Sequence, residues 1–167
     1  MRRLLLVLLL ALLGSISGCG YYLAGGGESL IKERKVAVAM FANRTYQSSL
    51  EGKLRLALVS ELAGRGSYVE TGSNDLVLTG EIESLSIDTA AFSSADKAML
   101  YKVSMTVQVQ LAEKESGKVV WKSSETLQQD YPSAANLALQ ANARDAALST
   151  LCDKMARTLV NRMNQAF

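Results

Sequence analysis

Met99, Tyr101, Val103, Met105, Val107, Val109 and Leu111 alternate with Lys102, Ser104, Thr106, Gln108 and Gln110. A period of two over about 13 residues predicts a half-buried antiparallel strand, apolar on its odd face and wet on its even face. It is more than twice the usual strand length. Upstream, Leu76, Leu78 and Ile82 hold even positions while Leu85 and Ile87 are odd. The inward set changes phase near Glu83-Ser84, where a bulge restores the same face to the core. Downstream, Ser116-Gly117 supplies a hairpin turn, and Val119, Trp121 and Leu127 continue into a partner strand. Val36 to Phe41 is apolar on both alternating faces, which predicts a central strand paired along most of both edges. Asn43-Arg44-Thr45 breaks that run into a loop.

Two segments carry the helical period instead. Leu50, Leu54, Leu58 and Leu62 recur every four residues behind Ser48, with Glu51 three residues after that serine as in a capping box. Gly64 and Gly66 then act as stop signals. Pro132, the chain's one proline, separates sheet from helix, and Ser133 or Asn136 can cap the helical segment beyond it. Ala141, Leu148, Leu151, Met155, Leu159 and Met163 mark a stripe running to about Asn164, a helix about 45 Å long at 1.5 Å per residue. Strands near 35–42, 75–90, 98–112 and 118–130 with helices near 48–63 and 134–164 make an α+β fold. Its order is β-α-β-β-β-α, with two helices on one face of a four-stranded, mostly antiparallel sheet. The odd side chains from Met99 to Leu111 are expected to face those helices.

The amino terminus has a different grammar. Met1-Arg2-Arg3 is a basic n-region, Leu4 to Leu13 an almost unbroken apolar h-region, and Ile16-Ser17-Gly18-Cys19 comes next. The apolar run is too short for the roughly 20 residues that cross a bilayer. An aliphatic residue, two small residues and a cysteine resemble the lipobox of bacterial lipoproteins. That resemblance implies cleavage before Cys19, a diacylglycerol thioether on its sulfur and N-acylation of its new amino group. Neither Gly20 nor Tyr21 is the aspartate that holds enteric lipoproteins in the inner membrane, so the expected address is the periplasmic face of an outer membrane. Residues 1–18 read as signal peptide, 19–34 as acylated terminus and glycine-rich tether, and 35–167 as one domain.

Charge and chemistry narrow the function by exclusion. Without residues 1–18 the chain keeps 149 of its 167 residues, with 16 basic against 16 acidic side chains. The pI near 8.5 therefore belongs to the precursor. No basic run interleaves with aromatics, which argues against nucleic-acid binding. Lys32-Glu33-Arg34-Lys35 reads as a solvated strand edge. With Cys19 acylated, Cys152 has no disulfide partner in the chain and reads as a buried small hydrophobe. The chain has no histidine, removing the commonest general base and metal ligand. Gly25-Gly26-Gly27 lacks the Lys-Ser/Thr sequel of a phosphate loop. No enzyme activity, catalytic residue, metal or cofactor is expected.

The series Cys19-Gly20-Tyr21, Val36 to Phe41, Asn43-Arg44-Thr45-Tyr46, Leu50-Glu51, Asp75 to Gly80 and Val120-Trp121 resembles the LPS-assembly lipoprotein family, LptE, across essentially the whole mature chain. The resemblance implies a non-enzymatic plug in the lumen of the outer-membrane β-barrel LptD, assisting barrel assembly and delivery of lipopolysaccharide to the outer leaflet. It also implies lipopolysaccharide contact through basic residues near loops at one end of the sheet. Lys97 is the first candidate, followed by Lys118 and Lys122; none matches a family motif position, and plain surface solvation is the alternative for each. Lys102, Ser104, Thr106, Gln108 and Gln110 would face a hydrated barrel wall or bulk water. The rival class is a periplasmic interaction lipoprotein of another system, such as a cell-wall synthase activator or secretion-pore subunit.

Overall fold

The computed structural model describes residues 34–166 apart from Thr71, Ser73, Asn74, Ser93 and Asp96. The signal peptide, Cys19, the tether and the Lys32-Glu33 half of the basic cluster lie outside the described residues. The elements are β1 (Val36–Val38), β2 (Ala42–Asn43), α1 (Leu50–Gly64), β3 (Leu76–Phe92), β4 (Ala98–Glu113), β5 (Val119–Pro132) and α2 (Leu137–Gln165). The fold is α+β in the expected order.

The sheet is mixed and its first strand is split. β1 and β2 both run parallel to β3, against Leu76–Leu78 and Glu81-Ile82 respectively, so they form two segments of one edge. The expected strand over 35–42 is thus interrupted, and Asn43, expected in a loop, ends β2. In the break Phe41 turns inward at 2% exposure while Met40 points out at 64%. Gly80 makes room for the ring: a Cβ there would lie 2.3 Å from the Gln108 carbonyl oxygen and 2.7 Å from Phe41 Cε1. The parallel pairing follows from α1, which carries the chain back to the start of the sheet as a crossover.

β1 is also an edge strand, in the order β1-β3-β4-β5, rather than a central one. Its apolar character reflects a covered edge. Val36 N–H donates to the Ser67 carbonyl at 2.8 Å, Val69 N–H to the Val36 carbonyl at 3.1 Å, and Arg55 Nε to the Val38 carbonyl at 3.1 Å. These bonds occupy groups an edge would otherwise offer to another strand.

β3 and β4 pair antiparallel, and the expected bulge falls at Glu83: Ile82 opposes Val107 and Ser84 opposes Thr106. The extra residue lets Ile82 and Leu85 share the inward face. Leu50, Leu54, Leu58 and Leu62 of α1 meet Leu148, Leu151, Met155, Leu159 and Met163 of α2 over Leu76, Leu78, Ile82 and the odd residues Val103 to Leu111. Met99 departs from the expected set, being 58% exposed beyond the covered part of the sheet. Tyr101 marks the boundary, stacked on Tyr131 with ring centroids 5.5 Å apart.

The helix ends follow local chemistry. Ser48 forms no capping box: α1 starts after Ser49, which adopts φ 64° and caps nothing with its side chain. Glu51 is instead engaged by Asn43 Nδ2 at 2.7 Å. Gly66 stops α1 as expected, at φ +72°, where Arg65 and Ser67 N–H groups both reach the Leu62 carbonyl. Asn136 is the cap of α2, its Oδ1 accepting from Leu139 N–H at 2.9 Å. Cys152 is 1% exposed and burial pushes its thiol up to about 12, so it is a packing residue with no thiolate at neutral pH.

Candidate interaction surface

Because side chains alternate along β4, burying Val103 to Leu111 turns Lys102, Ser104, Thr106, Gln108 and Gln110 to the opposite face. Hydrogen bonds tie that face across strands. Thr106 and Thr126 hydroxyls lie 2.9 Å apart, and Gln108 Nε2 donates to the carboxylate of the bulge residue Glu83. A hollow of about 330 Å³ opens on it between Thr79, Glu81, Gln108, Gln110 and Lys122. The molecule therefore has one face sealed by helices and one polar sheet face.

The three candidate lysines separate along the sheet. Lys122 stands opposite Gln110 on β5 and lines the hollow. Lys118 is at the β4–β5 turn, its carbonyl accepting from Glu113 N–H at 2.9 Å. There the Ser116 hydroxyl and Arg34, with Lys118, hold the Glu113 carboxyl below its ordinary range. Lys97 precedes β4 at the other end of the sheet. Sixteen residues of β4 lie between these ends, about 50 Å at 3.3–3.4 Å per residue. Lys118 and Lys122 share one end of the structure, and Lys97 lies at the other.

The Lys97 end also exposes several apolar side chains. Phe92 is 62% exposed, Leu137 86% and Leu139 53%. A hollow of about 220 Å³ lies there between Ile87, Tyr101, Tyr131, Leu137 and Arg144. Burial raises the Tyr131 hydroxyl above its ordinary range, so it stays a neutral donor. The sequence signal for this patch is present in Met99, but its strand alternation points to a core.

Two further features escape sequence reasoning. Glu125, 6% exposed on the helix-facing side of β5, accepts from Ser123 Oγ at 2.6 Å and pairs with Arg162 Nη1 at 2.9 Å. Nothing local distinguishes it from a solvated glutamate, because its partner is 37 residues away on α2. Asn43 builds the loop before α1 by donating to the Gln47 carbonyl and Glu51, and accepting from Thr45 N–H and hydroxyl. Next to it Arg44 pairs with Glu81 at 2.7 Å, while Tyr46 is fully exposed.

No curated protein matches the chain. Solved structures share its fold. A Xanthomonas campestris protein aligns over 80% of this chain and 85% of its own, at 14% identity and a TM-score of 0.59. The rare lipoprotein B of Shewanella oneidensis aligns over 80% and 92%, at 15% identity and 0.53. Lipoprotein B of Nitrosomonas europaea aligns over 80% and 86%, at 8% identity and 0.55. The LptE family model, described as lipopolysaccharide-assembly, matches residues 34–163, from just before β1 into the last turn of α2, and the chain belongs to that family.

Proposed function

We propose that this chain is an outer-membrane lipoprotein, held on the periplasmic face by acylated Cys19, that plugs an LptD-type β-barrel. There it assists barrel assembly and the passage of lipopolysaccharide to the outer leaflet, with no catalysis of its own. Family membership over residues 34–163 is the observation that carries the reading. The two-faced sheet supports it: the lumen of a large outer-membrane barrel is polar, and a face of Lys102, Ser104, Thr106, Gln108 and Gln110 matches such a wall. The sealed core on the other face keeps the plug folded before it meets its barrel.

Lipopolysaccharide carries phosphates beside acyl chains. Lys97 and Arg144, together with exposed Phe92, Met99 and Leu137, offer cations beside apolar surface at one end of the sheet. That end is the proposed lipopolysaccharide contact. Lys122 and Lys118, about 40 and 50 Å away along β4, would meet a different part of the assembly.

Depleting the chain from growing cells tests this function. Assembled barrel and surface lipopolysaccharide are expected to fall together while lipopolysaccharide synthesis continues. Unchanged surface lipopolysaccharide after complete depletion would contradict the proposal.

A further inference from the structure

The two edges of the sheet are treated unequally. The β1 edge is covered by Ser67, Val69 and the Arg55 side chain. β5, the other edge, runs 14 residues, and among the described residues no backbone group pairs with its outer side, where the Gln129 side chain donates to the Asp130 carbonyl at 2.7 Å. Two contacts fix its orientation. Ser133 N–H donates to the Met99 carbonyl, and Tyr131 opposes Tyr101 in the same antiparallel ladder. Backbone groups alternate sides along a strand, so the odd residues of β5 bond β4 while the even ones turn N–H and C=O outward. Lys122, Ser124, Thr126, Gln128 and Asp130 form this outward row. Pro132, with no N–H, falls in the same set and wastes no ladder donor.

We propose that the β5 edge pairs antiparallel with the β5 edge of a second copy, about a two-fold axis through Thr126. The strand is self-complementary in that register. With Thr126 opposite itself, Lys122 meets Asp130 of the second copy, Asp130 meets its Lys122, and Ser124 meets Gln128. Each Asp130 already stands opposite Lys102 on β4, so the charges alternate in a row across the joined sheets. Sliding by two residues in either direction sets Lys122 against Gln128 or Pro132 and loses both ion pairs. The pairing joins two sheets through about eight main-chain hydrogen bonds, and two more where the Gln129 side chain releases the Asp130 carbonyl; it is isologous, so it closes as a dimer and does not propagate. It concerns the lipoprotein outside the barrel and does not depend on the barrel reading.

A cysteine at the axis tests it in the full acylated chain in its membrane. Directly opposed residues in a hydrogen-bonded antiparallel pair lie about 5.5 Å apart at Cα, within disulfide reach. Thr126→Cys is expected to give a disulfide-linked homodimer on mild oxidation. Gln128→Cys is not, because its own copy would stand four residues out of register. Cys152, 1% exposed, does not compete. Adding Lys122→Asp to Thr126→Cys should lower the cross-linked fraction roughly tenfold, and Asp130→Lys in the same chain should restore it. Ser124→Pro removes an outward N–H only, and its solution mass should be that of a monomer with circular dichroism unchanged. Equal cross-linking by the Thr126→Cys and Gln128→Cys variants, capture of a different protein by the Thr126→Cys variant, or a dimer surviving Ser124→Pro would overturn the proposal. A chain that recovers its barrel but shows no homodimer would sink this inference and leave the barrel reading standing.

Discussion

Gly80→Ala is expected to lower the unfolding free energy by about 2–3 kcal/mol, the upper part of the range for forcing a methyl group into a packed site. The added Cβ would meet the Gln108 carbonyl oxygen at 2.3 Å and Phe41 Cε1 at 2.7 Å. Neither can step aside cheaply. The carbonyl belongs to the β3–β4 ladder, and the Phe41 ring is held in the core at 2% exposure. Gly52 provides the opposite case within the same chain. It lies in α1 with nothing within 4 Å of where an added methyl would sit, so Gly52→Ala should stabilise by about 0.5–1 kcal/mol through helix propensity. Urea unfolding with unchanged slopes would report both shifts as changes of midpoint. Equal effects at the two positions would mean that the Phe41–Gly80 contact does not hold the split edge in place.

The second large effect is expected at Cys19. Under the proposed anchor, Cys19→Ala removes the sulfur that would be acylated, and with it the cleavage that would follow acylation. A single acyl chain holds a protein to a membrane only reversibly, at about 0.8 kcal/mol per buried CH₂, whereas several chains on one residue make release very slow. No helix among the described residues is long and apolar enough to cross a membrane in its place. The variant should accumulate as uncleaved precursor or mislocalised protein, with roughly a tenfold or greater loss from the outer-membrane fraction. Intact mass checks the premise: the native protein should begin at Cys19 and carry acyl mass, and an unmodified amino terminus would refute the anchor.

What the chain's pattern reveals of its fold depends on where each interaction partner sits. The phase change between Ile82 and Leu85 announces the Glu83 bulge because strand alternation is local. The leucine stripe of α1 and the Gly66 stop are equally local. The split between β1 and β2 is not, since Val36 to Phe41 is uniformly apolar and the room for the inturned Phe41 ring is left by Gly80, 39 residues further on. The Ser48–Glu51 pair shows how a local motif loses to a tertiary one: Asn43 engages Glu51 and the helix starts without a side-chain cap. β1 reads as central from its composition because covering by Ser67–Val69 and Arg55 buries an edge as well as a neighbouring strand does.

The candidate surface is legible in part for the same reason. The polar face of β4 follows from alternation alone. The distance between Lys97 and Lys118 does not, because the hairpin that brings Glu113 back to Lys118 sends Lys97 to the far end of the sheet. Glu125 and Arg162, joined across the sheet–helix interface, carry no pattern that a linear reading detects.

Occupancy of a barrel is tested most directly by affinity purification of the acylated chain from detergent-solubilised outer membranes. A plug is enclosed, so its interface should exceed the standard size of about 1,600 Å², survive extraction and dissociate slowly. Recovery of one large LptD-type β-barrel at one-to-one stoichiometry is the expected result. Recovery of a cell-wall synthase or a secretion pore, with no barrel at stoichiometric level, would contradict it.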